Sequence, residues 1–154
     1  MSSEVTAGRA YHQGTDFMAA ANRLHAEVNA GGPEQLRLMA PSIVCTAFAI
    51  ELFFKSMLTL AETPSKGHNL KTLFEKLDDS TKDRLRAALN CTAGAFDCHL
   101  SHVESAFTSW RYAHEQGTLS MDLNFIRGLC QAALAEVERH FLERVKHRLE
   151  GSRC

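Results

Sequence analysis

The stretch Ala47-Phe-Ala-Ile-Glu-Leu-Phe-Phe-Lys55 lies in the most apolar part of the chain, yet it carries a carboxylate and an ammonium four residues apart. A segment that is apolar on most faces is typical of the central helix of a bundle. In such a helix Glu51 and Lys55 share one face, one turn apart, with the glutamate on the N-terminal side. Because buried charges are costly unless they are paired, this pair needs a structural or functional reason.

Apolar residues recur at steps of three or four along most of the chain, which predicts helices. Asn69 and the capping-box-like segment Ser80-Thr-Lys-Asp83 are expected to start two of them. No period-two alternation or Asn-Gly hairpin signal occurs, so no strand is expected. The predicted fold class is all-α, an up-and-down bundle of five to six helices. We expect these near residues 15–29, 41–62, 69–77, 80–90, 98–115 and 121–149.

One domain and two short tails are predicted. Thr15 is a plausible N-cap, so residues 1–14 are expected to form a flexible N-terminal tail. Residues 15–149 would then form a single helical domain, and residues 150–154 a C-terminal tail.

The charge balance argues against a general affinity for polyanions. Lys and Arg number 17 against 18 Asp and Glu, and the net charge is −1. No global positive field would therefore attract nucleic acid or an anionic membrane. The basic run at residues 139–148 is expected to be the solvated face of the last helix, with nucleic-acid contact as the alternative.

Cysteine usage and apolar segment lengths indicate a cytoplasmic protein. The five cysteines are odd in number and lack C-x-x-C spacing, which favours free thiols in a reducing compartment. The N-terminus has no apolar signal core, and the apolar stretch at residues 43–54 is too short to span a membrane. We expect no membrane association.

A second polar segment, Ser109-Trp-Arg-Tyr-Ala-His-Glu115, places Arg111, His114 and Glu115 on one helical side. One interpretation is an Arg–Glu pair near a helix end, where His114 is favoured by the helix dipole. The other is a polar site in which Arg111 binds a phosphate and His114 transfers a proton. Spacing alone leaves both open.

Two interpretations also exist for the pair on the central helix. Glu51 and Lys55 could belong to a solvated stripe, or they could meet another charged element, for which Arg111 is the natural candidate. If that contact is buried, Arg111→Ala would cost about 3–5 kcal/mol. His68, in the turn before Asn69, could reach a neighbouring helix.

No metal or cofactor is expected. In the cluster Cys98, His99, His102 and Glu104, only Cys98 and His102 share a helical face, and no second ligand pair has metal-finger spacing. Gly-rich phosphate loops, nucleophile elbows and zincin motifs are missing from the sequence.

Three segments, at residues 41–55, 67–77 and 110–115, resemble in order and spacing the signatures of HEPN-like domains. The resemblance covers roughly residues 15–149. It implies a bundle of four or more helices, usually dimeric, in prokaryotic toxin–antitoxin or defence systems, where many members cleave RNA without metal. Catalytic members carry an arginine followed, after four to six intervening residues, by a histidine. Here only two residues separate Arg111 from His114.

We therefore expect a HEPN-like protein with a structural, partner-binding or RNA- or nucleotide-binding role, and not an efficient nuclease. It is expected to form a homodimer, with a nucleotidyltransferase-type protein as a possible further partner and weak RNA or nucleotide binding. The alternative is an atypical metal-independent endoribonuclease that uses Arg111 and His114 as catalytic residues. The expected binding or polar-core residues are Glu51, Lys55, His68, Tyr112 and Glu115.

Overall fold

The computed structural model describes residues 2–32, 35–103 and 122–151. These residues form six α-helices and contain no strand, which confirms the all-α class for this part of the chain. The helices, numbered in chain order, are α1 (Ser3–Ala30), α2 (Met39–Leu60), α3 (Leu70–Glu75), α4 (Asp79–Ala88), α5 (Ala93–Val103) and α6 (Leu123–Gly151), and a 3-10 helix (Gln35–Leu38) precedes α2.

Helix α2 forms the centre of the bundle. Fourteen of its 22 residues are buried, and α1, α3 and α6 pack against it. Among the described residues it is the one helix long and apolar enough to cross a membrane, but 72% of its apolar window is buried inside the protein. Its composition is therefore accounted for by its position in the core.

Helices α1 and α2 run antiparallel and approach closely. The hydroxyl of Ser56 donates a hydrogen bond to the carbonyl of Ala7 (2.9 Å), and the hydroxyl of Ser42 donates to the carbonyl of Ala21 (3.3 Å). Between these two contacts, a methyl group on Gly14 would lie 2.6 Å from the ring of the fully buried Phe53. Glycine at this position therefore allows the two helices to pack together.

The predicted start of the first helix near residue 15 is wrong, because α1 begins at Ser3, capped by Ser2, twelve residues earlier. Ala7 is fully buried against α2, and this packing holds the segment in helical form. The hydroxyl of Thr15 donates to the carbonyl of His12 (2.7 Å) within the helix and does not cap it.

Other helix ends agree in part with the prediction. The side chain of Asn69 caps α3 as expected, accepting a hydrogen bond from the Thr72 amide (2.8 Å). The cap of α4 is Asp78 and not Ser80, because the carboxylate of Asp78 accepts from the Thr81 amide (2.9 Å). Helix α5 begins at Ala93, five residues before the predicted start, and α6 continues to Gly151, past the predicted end at residue 149.

Two glycines of α1 provide a matched test of the close approach to α2. Gly8→Ala has open space and should stabilise the protein by about 1 kcal/mol through helix propensity. Gly14→Ala gains the same propensity but drives a methyl group into Phe53, so it should be destabilising by up to about 2 kcal/mol. Urea unfolding measures both, and equal stability of the two variants would contradict the packing.

Candidate functional site

The carboxylate of Glu51 is buried inside the bundle and shared by two nitrogen atoms. Its side chain is 2% exposed, and Nζ of Lys55 lies 2.8 Å from its Oε1 atom. Nδ1 of His68, from the loop after α2, lies 2.9 Å from the same oxygen. Because an ion pair in a low-dielectric setting is weakly screened, the ammonium compensates much of the cost of burying this anion.

The geometry fixes how the imidazole of His68 is presented. A carboxylate only accepts hydrogen bonds, so Nδ1 of His68 donates its proton to Glu51. In the neutral ring, Nε2 is then the nitrogen that accepts a hydrogen bond. The side chain of His68 is 71% exposed, so the ring is anchored on one side and open to solvent on the other. A carboxylate behind an accessible imidazole is an arrangement that general acid–base catalysis uses.

In the loop, His68 lies between two residues whose roles restrict which side chains can stand there. Gly67 has φ +98°, a conformation that side chains rarely adopt, and Asn69 caps α3. The segment Gly67–Asn69 therefore turns the chain, presents the imidazole over α2 and starts the next helix.

The structure brings together three of the seven residues that the sequence singled out. Glu51, Lys55 and His68 meet at one carboxylate oxygen. Glu51 is not part of a solvated stripe, although Glu62, in the turn after α2, is exposed. The other four residues lie outside the described part of the chain, so the contact between Arg111 and Glu51 stays a prediction; they are Arg111, Tyr112, His114 and Glu115.

A second polar cluster, which no sequence pattern indicated, joins α4 to α6. Nε of Arg84 contacts both carboxylate oxygens of Glu136, at 3.1 and 3.0 Å, and Arg139 contacts the same carboxylate at 3.0 Å. The Glu136 side chain is 12% exposed. Arg84 and Glu136 are 52 residues apart, so no local spacing could have indicated this pair.

The same cluster continues through a fully buried threonine. The hydroxyl of Thr81 donates to Asp78 (2.6 Å) and accepts from Arg84 (3.0 Å) and from Nε2 of His140 (3.0 Å). Partial burial acts to raise the pKa of Asp78, but hydrogen bonds from Thr81 and Ser80 outweigh it and hold that pKa well below its usual range. These contacts tie α4 to α6.

The side chains of His99 and His102, from the cysteine–histidine cluster of the sequence, contact different partners and do not form one site. Nδ1 of His102 contacts the carbonyl of Cys98 (2.8 Å), whereas Nδ1 of His99 lies 3.8 Å from Asp122. Glu104 lies outside the described residues. Across residues 2–32, 35–103 and 122–151, no three metal-ligating side chains are grouped so that they could hold an ion.

The C-terminal part of α6 carries the main exposed apolar surface of the described residues. Leu142 is 62% exposed, Val145 48% and Leu149 62%, and their spacing places them on one helix face. Val5 of α1 is 47% exposed, and the preceding residue, Glu4, pairs with Arg148 of α6. We call Leu142, Val145 and Leu149 the α6 apolar face.

A groove of about 450 Å³ between α1 and α6 adjoins this face. Leu142 forms part of its wall, together with Tyr11, His12 and Phe141. The hydroxyl of Tyr11 donates to the carboxylate of Glu138 (3.0 Å) on the same wall, so the groove is apolar with one polar side.

Comparison of the chain with models of known protein families, with curated proteins and with solved structures gave no match. The resemblance to HEPN-like domains therefore rests on the three sequence segments alone.

A double substitution can distinguish the contribution of the Glu51–Lys55 charges to stability from the contribution of side-chain packing. Lys55→Met should cost about 2–3 kcal/mol, because it leaves the buried carboxylate with His68 alone. Glu51→Leu combined with Lys55→Met should recover to within about 1 kcal/mol of the wild type, because no buried charge remains. Denaturant unfolding gives both values. Lys66→Met, at an exposed loop lysine, is the control, and an equal cost for Lys55→Met and Lys66→Met would refute the pairing.

The acid stability of the α4–α6 cluster should depend on Asp78. The pKa of Asp78 is lowered by folding, so its contribution is fully present above the unfolded value of about 3.9 and is lost as the pH falls further. Asp78→Ala should cost about 1 kcal/mol near neutral pH through loss of the cap. The stabilities of variant and wild type should converge below about pH 4. Unfolding measured from pH 7 to pH 2 tests this, with the exposed Asp16→Ala as control; a difference that does not shrink in acid would be evidence against it.

Proposed function

We propose that this chain is a HEPN-like helical protein that acts by binding a protein partner and is not an efficient ribonuclease. The all-helical bundle and the three HEPN-like segments support the class. The α6 apolar face is the observation that supports the binding role, because contiguous exposed apolar side chains on a folded protein mark interaction sites.

The charged clusters argue against strong RNA binding. Lys55 is paired with Glu51, and Arg84 and Arg139 are both paired with Glu136. A protein that neutralises several phosphates needs cations that are free to meet them, and the net charge of −1 supplies no excess. RNA or nucleotide binding is accordingly weak in this proposal.

The proposed setting is a prokaryotic toxin–antitoxin or defence system, in the cytoplasm. The resemblance supports this setting, and it also names a nucleotidyltransferase-type protein as one candidate partner. Such a partner would cover the α6 apolar face and the adjoining groove, where Leu142 is the most central exposed side chain.

A second candidate is an atypical metal-independent endoribonuclease that uses Arg111 and His114. One observation favours keeping it: His68 presents an accessible imidazole held by the Glu51 carboxylate. An imidazole in this position could take a proton from an attacking hydroxyl. The pairing of Lys55 with Glu51 weighs against the reaction, because it neutralises the nearest charge that could stabilise a phosphorane.

Labelled structured RNA incubated with the protein in EDTA distinguishes the two candidates. We expect no cleavage above a buffer control, because Lys55, Arg84 and Arg139 are already paired with carboxylates. The variants are Arg111→Ala, His114→Ala and His68→Ala, with His12→Ala at an exposed α1 histidine as control. Rapid cleavage that disappears in Arg111→Ala and His114→Ala, with folding intact, would establish the ribonuclease instead.

Partner binding is tested by co-expression with the product of the neighbouring gene. Light scattering should show a stoichiometric complex that Leu142→Glu removes and Lys66→Glu retains. A complex that withstands Leu142→Glu would show that the α6 apolar face is not the binding surface.

A further inference from the structure

We infer that the α6 apolar face docks a second copy of this chain, with the two α6 helices antiparallel and their Leu142 side chains at the two-fold axis. This inference rests on the proposed function, because it takes a second copy as the protein partner of the same surface, and a nucleotidyltransferase-type partner there is an outcome of the test. It depends on the order of charged and apolar residues along α6 and on the groove beside Leu142.

Five exposed residues on this side of α6 are arranged symmetrically about Leu142. Glu138 precedes it by four residues and Lys146 follows it by four, while Ala135 precedes it by seven and Leu149 follows it by seven. At 3.6 residues per turn, all five lie within about 40° of one line along the helix. The face therefore has opposite charges at equal distances from an apolar centre.

Antiparallel pairing of two such helices is self-complementary. A two-fold axis at Leu142 places Glu138 of one copy at the height of Lys146 of the other, and this happens twice in one dimer. The same operation sets Leu149 against Ala135 of the second copy, so a large side chain meets a small one. Parallel pairing would instead set Glu138 against Glu138 and Lys146 against Lys146, which like-charge repulsion disfavours.

A hydrogen bond, a groove and an exposed valine beside Leu142 favour docking at this face. The hydroxyl of Tyr11 donates to Glu138 and holds its carboxylate at the edge of the groove (3.0 Å). The groove lies beside Leu142 and has a volume of about 450 Å³, which aliphatic side chains of a second copy could fill. Val145, also on the α6 apolar face, adds apolar area next to the proposed axis.

The size of the face sets the expected affinity. Residues 135–149 span about 21 Å of helix at 1.5 Å per residue. Together with the adjoining α1 surface, this gives an interface at the small end of the range, below about 1,200 Å² in total. We therefore expect a dimer that dissociates at micromolar concentrations and not an obligate one.

Exchanging the two charges in separate variants tests the antiparallel register directly. Glu138→Lys alone would oppose lysine to lysine twice, and Lys146→Glu alone would oppose glutamate to glutamate twice. An equimolar mixture of the two variants restores both opposite-charge contacts in the heterodimer. Sedimentation equilibrium at low salt should show a dimer of the 17.1 kDa chain for the wild type and the mixture. Each single variant should dissociate about tenfold more readily, and 0.5 M salt should shrink the difference.

One control isolates the interaction. Lys66→Glu changes the charge of an exposed lysine in the loop after α2. This variant should dimerise as the wild type does. Leu142→Glu should be monomeric with an unchanged circular-dichroism spectrum, because the side chain is already exposed.

The outcomes distinguish this inference from the proposed function. A monomeric wild type that still binds the product of the neighbouring gene through Leu142 overturns self-docking and leaves the proposed function intact. A monomeric wild type for which Leu142→Glu changes no association overturns both. A wild-type dimer that both single charge variants retain refutes the antiparallel register.

Discussion

One buried carboxylate, that of Glu51, constrains much of this structure. It lies in α2, the helix that α1, α3 and α6 pack against, and its side chain is almost completely shielded from water. An anion in that position requires compensation from nearby groups. Lys55 supplies it from the next turn of α2, and His68 supplies it from the following loop. The course of the loop and the start of α3 at Asn69 follow from bringing that imidazole back over the helix.

A similar rule holds between α4 and α6. The side chain of Glu136 is largely buried. The cations that neutralise it come from two helices, Arg84 from α4 and Arg139 from α6 itself. A carboxylate held by guanidinium groups in this way is strongly oriented, because the planar donors match its two oxygens. Arg84 is the cation that α4 contributes to this carboxylate, so the cluster helps to fix the position of a short helix that has few apolar residues of its own.

The sequence predicted the parts of the fold in which the signal is local. Helix α2, the cap at Asn69 and the one-turn spacing of Glu51 and Lys55 can all be derived from neighbouring residues. The start of α1 could not, because Ala7 holds that segment through its contact with α2, 49 residues away from it in sequence. The same limit applies to Arg84, whose partner is 52 residues further along. Sequence spacing reports a helix face, but it does not report which distant element will cover that face.

The Glu51–Lys55–His68 site and the groove beside the α6 apolar face lie on different sides of the central helix, α2. Ser42, Phe53 and Ser56 face α1, and at 100° per residue they lie about 140–200° around α2 from Glu51. The groove is built by α1 and α6, so a partner docked there leaves the exposed edge of His68 open to solvent. Within the part of the chain that the structure describes, no hydrogen bond or ion pair joins the two places, so substitutions there should act additively on stability. Binding at α6 and any proton transfer at His68 are therefore separate properties of one bundle, and each can be removed while the other remains.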